Sequence, residues 1–201
     1  MGKIFYLMGK SSCGKDSIYK KLIEDGELNL KKITGYTTRP IREGETDGVE
    51  YFFVTKEDMK KLNLIEMRSY NTVAGEWCYA TADDGNINAT DNYLIIGTLE
   101  SYECFLRYYG RDRVVPLYIE VDDYTRLIRS LNREKQQASP RYDEICRRYL
   151  ADEADFAKEN IEKLGIEKKF ENYDFFSNFY SQNIFTVLRR LELWVPKVYN
   201  L

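Results

Sequence analysis

The stretch "GKSSCGKDS", residues 9–17, places Gly9 four residues before the pair Gly14-Lys15. That spacing suits a loop that wraps phosphate. The glycines let the backbone curl so that successive N–H groups converge, the following helix N-terminus adds its positive end, and Lys15 can bridge terminal phosphates. The phosphate-loop candidates are Gly9, Lys10, Ser11, Ser12, Cys13, Gly14, Lys15, Asp16 and Ser17. The position after the lysine usually carries Ser or Thr as a metal-side hydroxyl. Here it carries Asp16, and the hydroxyl comes next, at Ser17.

Two other groups of side chains could handle a phosphorylated ligand. In "TTRPIREGETDGVEYFF" (37–53), Arg39 and Arg42 sit on a Pro-bearing loop ahead of Tyr51. Two guanidinium forks and a phenol suit a phosphate monoester, and an exposed charged loop is the plainer alternative. Farther on, Arg126, Arg129 and Arg133 fall at i, i+3 and i+7, on one helix face, followed by Arg141, Arg147 and Arg148. Such a face could close over a transferring phosphoryl group. The alternative is a solvated face paired with nearby Asp and Glu.

The elements that must hold these residues can be read from periodicity. "KIFYLM" (3–8) is an apolar run ending at Gly9, a buried strand feeding the loop. Residues 16–25 have apolar positions at 18, 19, 22 and 23 and stop at Gly26, so a helix follows the loop. "KKITGYTTRP" (31–40) ends in an extended, Pro-terminated stretch. Strands are predicted at 49–54, 63–71, 93–98 and 113–121, the last carrying Pro116. Thr55 with Asp58 marks a short helix start. Residues 82–92 read as a polar loop, "ESYECFLRYYG" as a helix, and 122–164 as two helices joined by the polar "EKQQASP". A last strand over 170–179 and a last helix over 184–195 complete the pattern. Strands alternating with helices, with a strand-rich insert at 35–80, predict a parallel α/β core carrying an inserted substrate subdomain.

Composition narrows the chemistry. The chain has 201 residues, 43% of them hydrophobic and 31% charged, enough for one folded domain. The net charge of -3 gives no bias toward nucleic acid or membrane. There is no histidine, which removes a histidine base and histidine-ligated metal. Cys13, Cys78, Cys104 and Cys146 are scattered, as expected of reduced thiols in a cytoplasmic protein. The apolar N-terminal run is too short for a membrane span.

Taken together these stretches resemble the guanylate kinase family, over about residues 3 to 192. "GKSSCGKDS" stands at its phosphate loop and "YTTRPIREGETDGVEYFFV" is very similar to its nucleotide-binding segment. "LIEMRSY" and "CYAT" resemble two further pocket segments, and "RSLNR" and "EICRRYL" resemble the lid and the helix after it. The resemblance implies a P-loop NTPase-type parallel sheet flanked by helices. It implies a core of 1–34, 93–125 and 142–195, a nucleoside-monophosphate-binding subdomain at about 35–81 and a helical lid at about 126–141.

It also implies phosphoryl transfer from ATP to GMP or dGMP with Mg²⁺, in a monomer or homodimer. Lys15 would bind ATP phosphates. Arg39, Arg42, Tyr51 and Tyr79 would hold the acceptor phosphate, with Arg39 counted among the catalytic side chains. Glu66 would accept from guanine N1–H and its amino group, and Thr81 would reach O6. Arg129, Arg133 and Arg148 would stabilise the moving phosphoryl group. Asp16 and Ser17 would face Mg²⁺, although Asp16 also fits a helix first turn with no other role.

The chain departs from the family pattern at Gly35 and Tyr36, and again at Thr98, which replaces an aspartate that helps read guanine. Base choice is therefore open. So are two other readings: a kinase for another nucleotide or phosphorylated small molecule, and a silent guanylate-kinase-like module that binds a protein.

Overall fold

The computed structural model describes residues 1–72 and 75–172, together with Ile184 and Leu188. Its centre is a five-stranded, all-parallel sheet. The strands are β1 (Ile4–Met8), β2 (Lys31–Lys32), β7 (Tyr93–Ile96), β8 (Val114–Glu120) and β9 (Lys169–Glu171), in the spatial order β2-β7-β1-β8-β9. Every residue of β1 is buried. Ile4, Tyr6 and Met8 pack on one face with Tyr102, Phe105 and Ile161, while Phe5 and Leu7 pack on the other with Ile18, Leu22, Ile184 and Leu188. A parallel strand covered on both sides needs that continuous apolar run. Pro116 is tolerated in β8 because β9 pairs only with Tyr118–Glu120, so among the described residues the sheet is open beside the proline.

Helix α1 (Lys15–Glu24) leaves the loop after β1. Helix α3 (Leu99–Tyr109) follows β7, capped by Thr98, whose side chain accepts from the Ser101 N–H. The predicted two-helix stretch after β8 is three helices: α4 (Asp123–Lys135), α5 (Tyr142–Asp155) and α6 (Lys158–Lys163). The extra break falls at Phe156, whose ring stacks on Tyr118 at 5.7 Å. Burying that ring outweighs continuing the helix.

The insert forms a second sheet in the order β4-β3-β6-β5, from β3 (Gly35–Thr37), β4 (Tyr51–Phe53), β5 (Leu64–Thr72) and β6 (Gly75–Ala82), with the short helix α2 (Lys56–Met59) between β4 and β5. Thr55 caps α2 through the Asp58 N–H, as its sequence position predicted. Strand β6 was not among the strands predicted within the insert. It forms because its residues alternate: Cys78 and Ala80 face a small core with Met59, leaving Trp77, Tyr79 and Thr81 for the other face. Ala and Cys are weak strand signals, and pairing along the whole of β5 supplies what propensity does not. The predicted last strand beyond residue 172 and the last helix fall outside the described residues, apart from helical, buried Ile184 and Leu188.

Candidate functional site

The phosphate loop sits at the C-terminal end of β1, in the middle of the sheet. Gly9 has φ 152°, and a Cβ there would lie 2.4 Å from the Ile119 carbonyl oxygen, so only glycine lets the loop pass β8. Gly14 caps α1 at φ 91° with no side-chain bond to the helix end, which leaves the first-turn N–H groups pointing at the loop's interior. Lys15 folds over the loop, donating from Nζ to the Gly9 carbonyl at 2.6 Å and the Lys10 carbonyl at 3.0 Å. Burial pushes the Cys13 thiol up from its ordinary pKa, and the nearby Lys15 only partly offsets it.

A cavity of about 240 Å³ opens against the loop, lined by Ser12, Gly14, Lys15, Asp16, Ser17, Arg129 and Arg133. Two of the three arginines predicted to stabilise the moving phosphoryl group therefore share a space with Lys15. Arg148 lines the adjoining cavity with Ser11 and Arg133, and its Nε donates to Glu144 Oε1 at 2.8 Å. Asp16 and Ser17 offer two hard oxygen donors at the phosphate-binding end of this space. Among the described residues no cluster of three or more metal-ligating side chains exists. A site with one or two protein oxygens fits an ion that arrives with nucleotide phosphates and keeps its waters.

Arg126, predicted to share a face with Arg129 and Arg133, has a different task. Its side chain is 2% exposed, and it donates to Asp123, Glu153 and more distantly Asp152 and the Ser11 carbonyl, while lying over the Tyr149 ring. Asp152 also accepts from the Ser11 N–H at 2.7 Å and Glu153 pairs with Lys10 at 2.6 Å. Helix α5 is thus tied to the rim of the loop. Sequence reasoning missed Asp152 and Glu153, because nothing in their local pattern marks a contact some 140 residues away. It also missed Asn172, which donates from its side chain to the Cys13 carbonyl at 2.8 Å and accepts from Arg129 on its own carbonyl at 3.0 Å.

The inserted sheet presents the second group on one face. Arg39 is 5% exposed and held by a two-pronged pair with Glu45, at 2.7 and 2.5 Å, with its guanidinium over the Tyr51 and Phe53 rings. That bond to Arg39 holds the Glu45 carboxyl down at about 2. Tyr51 and Tyr79 meet edge-on at 5.6 Å, which brings both predicted phenols beside Arg39. Arg42 is exposed, and only its backbone N–H joins Glu45.

Glu66 is buried and accepts three hydrogen bonds: from Thr81 on Oε1 at 3.0 Å, and from Arg68 and Ser101 on Oε2 at 3.1 and 3.2 Å. Glu66 and Thr81 face each other across β5 and β6, and Ser101 reaches them from α3. Thr98 caps that helix and lines a 560 Å³ cavity between β5 and the helices α3 and α6, together with Arg68, Tyr70 and Lys163. Arg68 and Ser101 are further residues that the sequence did not single out. The i, i+2 spacing of Glu66 and Arg68 on a strand was the available signal.

The guanylate kinase family model matches residues 1–81. The guanylate kinase of Malacoplasma penetrans is 30% identical over 182 residues, covering 87% of this chain and 83% of that protein. This chain belongs to the guanylate kinase family. Shorter matches reach higher identity. The guanylate kinase of Sulfurimonas denitrificans is 51% identical over 61 residues, and that of Oceanobacillus iheyensis 42% identical over 73. These matches span 29% and 35% of the two relatives' lengths. The crystal structure of guanylate kinase from Anaplasma phagocytophilum superposes with a TM-score of 0.55 over 96% of this chain and 83% of that one, at 19% identity, which shows the shared fold. The strand order with the glycine loop after β1 is the P-loop NTPase-type arrangement of that fold. No described helix is long and apolar enough to cross a membrane.

Proposed function

We propose that this chain is a nucleoside monophosphate kinase that transfers the γ-phosphoryl group of ATP to GMP or dGMP. The observation that carries the reading is that the glycine loop and the residues joined to the Glu66 pocket sit at neighbouring strand ends of the central sheet. The loop with Lys15 follows β1, Thr98 and Ser101 follow the adjacent β7, and Ser101 reaches directly into the inserted sheet at Glu66. One substrate's phosphates can thus lie on the loop while the other is held by Arg39, Tyr51, Tyr79 and Glu66.

Phosphoryl transfer asks the protein to position two phosphates and to neutralise spreading charge, with no covalent nucleophile. A phosphate oxygen of the acceptor attacks the γ-phosphorus, the bond to the bridging oxygen breaks, and ADP leaves with that electron pair. The loop N–H groups and Lys15 hold the donor. Arg129 and Arg133 face the same space and meet the charge on the equatorial oxygens. Arg148, on α5 beside the lid, joins them by exchanging Glu144 for phosphate. Asp16 and Ser17 would hold a Mg²⁺ ion arriving with the nucleotide, which would supply neutralisation of the phosphate charge. The protein works in the cytoplasm, where ATP and the acceptor are found.

The test is ADP release by the purified protein with ATP, Mg²⁺ and a panel of GMP, dGMP, AMP, CMP, UMP and dTMP. Preference for GMP or dGMP is expected. Turnover with no acceptor would leave a binding module built on the family fold.

A further inference from the structure

Beside Glu66 stands a cation that neither the glycine loop nor the phosphate clamp accounts for. Arg68 lies two residues beyond Glu66 on the same face of β5, 24% exposed, with its Nε on Glu66 Oε2 at 3.1 Å. Among the described residues no protein atom accepts from its two outer nitrogens, and the residue lines the 560 Å³ cavity beside Thr98 and Tyr70. That volume falls within the about 300–1,000 Å³ usual for small-molecule sites.

The hydrogen-bond count at Glu66 decides what this pocket can read. A carboxylate accepts about four hydrogen bonds. Three positions are filled, by Thr81, Arg68 and Ser101, and both bonds on Oε2 come from protein. One position on Oε1 remains. Glu66 can therefore take a single ring N–H, but not both N–H groups of a guanine edge while its protein donors stay in place. Thr81 already spends its hydroxyl proton on Glu66, so it meets a ligand as an acceptor. Thr98 accepts from the Ser101 N–H and shares a hydroxyl contact with Ser101 at 3.1 Å, so its polar capacity is turned into the protein. Among the side chains bonded to Glu66, Arg68 is the one with donors to spare, and it lines the cavity with Lys163 and Asn160 opposite.

Resting on the kinase reading above, we propose that Arg68 reads the 6-oxo group of the acceptor base, beside the N1–H that the reading already gives to Glu66. The pair presents an acceptor beside a donor. A 6-oxopurine presents the matching N1–H beside O6. Adenine presents the reverse, a bare N1 beside an amino group. Its N1 lone pair would face the carboxylate and its amino group the guanidinium, so the site rejects AMP by mismatch as well as by missing bonds. An arginine fork on a purine carbonyl is a strong and directional contact.

The experiment compares the full-length protein with Arg68→Met and Arg68→Lys, using ADP release and calorimetric binding of GMP, IMP and AMP. IMP carries the same N1–H and O6 edge without the amino group, and the wild-type protein is expected to accept it. Arg68→Met is expected to weaken GMP and IMP by about 5- to 150-fold, chiefly in KM, and to narrow the GMP-to-AMP ratio by a similar factor. Arg68→Lys, a point charge without the fork, is expected to recover part of the loss. An unchanged GMP-to-AMP ratio in Arg68→Met, or an equal loss for every acceptor with a lowered melting temperature, would reduce Arg68 to a structural partner of Glu66 and overturn the proposal. Binding of GMP but not IMP by the wild type would overturn it as well, because the amino group would then be what the site reads. If the wild type turns over no acceptor, the kinase reading fails. The base proposal is then judged by calorimetry alone: it stands if GMP and IMP bind and Arg68→Met weakens both, and it falls if neither binds.

Discussion

The two ends of the cleft are prepared in different ways. The donor end is backbone: two glycines at positive φ, a helix N-terminus, and a lysine resting on the loop's own carbonyls. The acceptor end is side chains: an arginine gripped by Glu45 and two aromatic rings, and a carboxylate gripped by three donors from three elements. Backbone cradles cannot be re-aimed without rebuilding the loop, whereas a side-chain site can be retuned one residue at a time. Selectivity for the base is therefore expected to be the more adjustable property of this protein, and phosphate binding the less adjustable one.

The sharpest way to break that comparison is at the donor end. Gly9→Ala places a methyl group 2.4 Å from the Ile119 carbonyl and is expected to abolish ATP turnover together with the cooperative melt. Lys15→Met keeps the loop and is expected to lower kcat by about 100- to 1,000-fold, the scale of losing one charge-stabilising donor. A kcat within threefold of the wild type would show that the loop's N–H groups suffice. At the acceptor end, Glu66→Gln is expected to cost about 2 kcal/mol in kcat/KM for GMP. Steady-state kinetics across the nucleotide panel should find that loss concentrated on GMP, and an equal loss for AMP would mean that Glu66 holds the sheet rather than the base.

Smaller effects separate the two ends by pH. The Glu45 carboxyl sits at about 2, held down by its bonds to Arg39, so its stabilising contribution is present above the ordinary carboxylate pKa of about 4.5 and lost as pH falls toward 2. The melting-temperature gap between wild type and Glu45→Gln is expected to be constant from pH 7 to about 5 and to shrink below it. A gap unchanged at pH 3 would place the Arg39 clamp elsewhere. Smallest of all, Cys13 is fully buried with a raised pKa and is expected to resist alkylation at pH 7.5 in the folded protein, while exposed Cys146 reacts. Mass spectrometry after brief iodoacetamide treatment distinguishes the two.

What was legible in the sequence follows the same division. The strand, loop and first helix were readable because their constraints are local: a buried apolar run, glycines where a Cβ cannot go, and a helical spacing that stops at Gly26. The acceptor residues Arg39, Tyr51 and Glu66 were visible through their motif, but not the partners that orient them. Arg126 shows the limit of helix-face reasoning. Its spacing groups it with Arg129 and Arg133, yet packing of α5 against the loop buries it among three carboxylates.

The amino-acid sequence by itself determined the parallel core, the position of the phosphate loop and the family, because each depends on residues close together along the chain. Only the tertiary structure decided that β6 exists, that Asp152 and Glu153 anchor the loop, and that Glu66 is shared by Thr81, Arg68 and Ser101. The contacts at Asp152, Glu153 and Glu66 join residues from 15 to 143 positions apart, Arg68 excepted. The free energy of such a contact depends on which surfaces the packed core brings together, and local spacing carries no record of that.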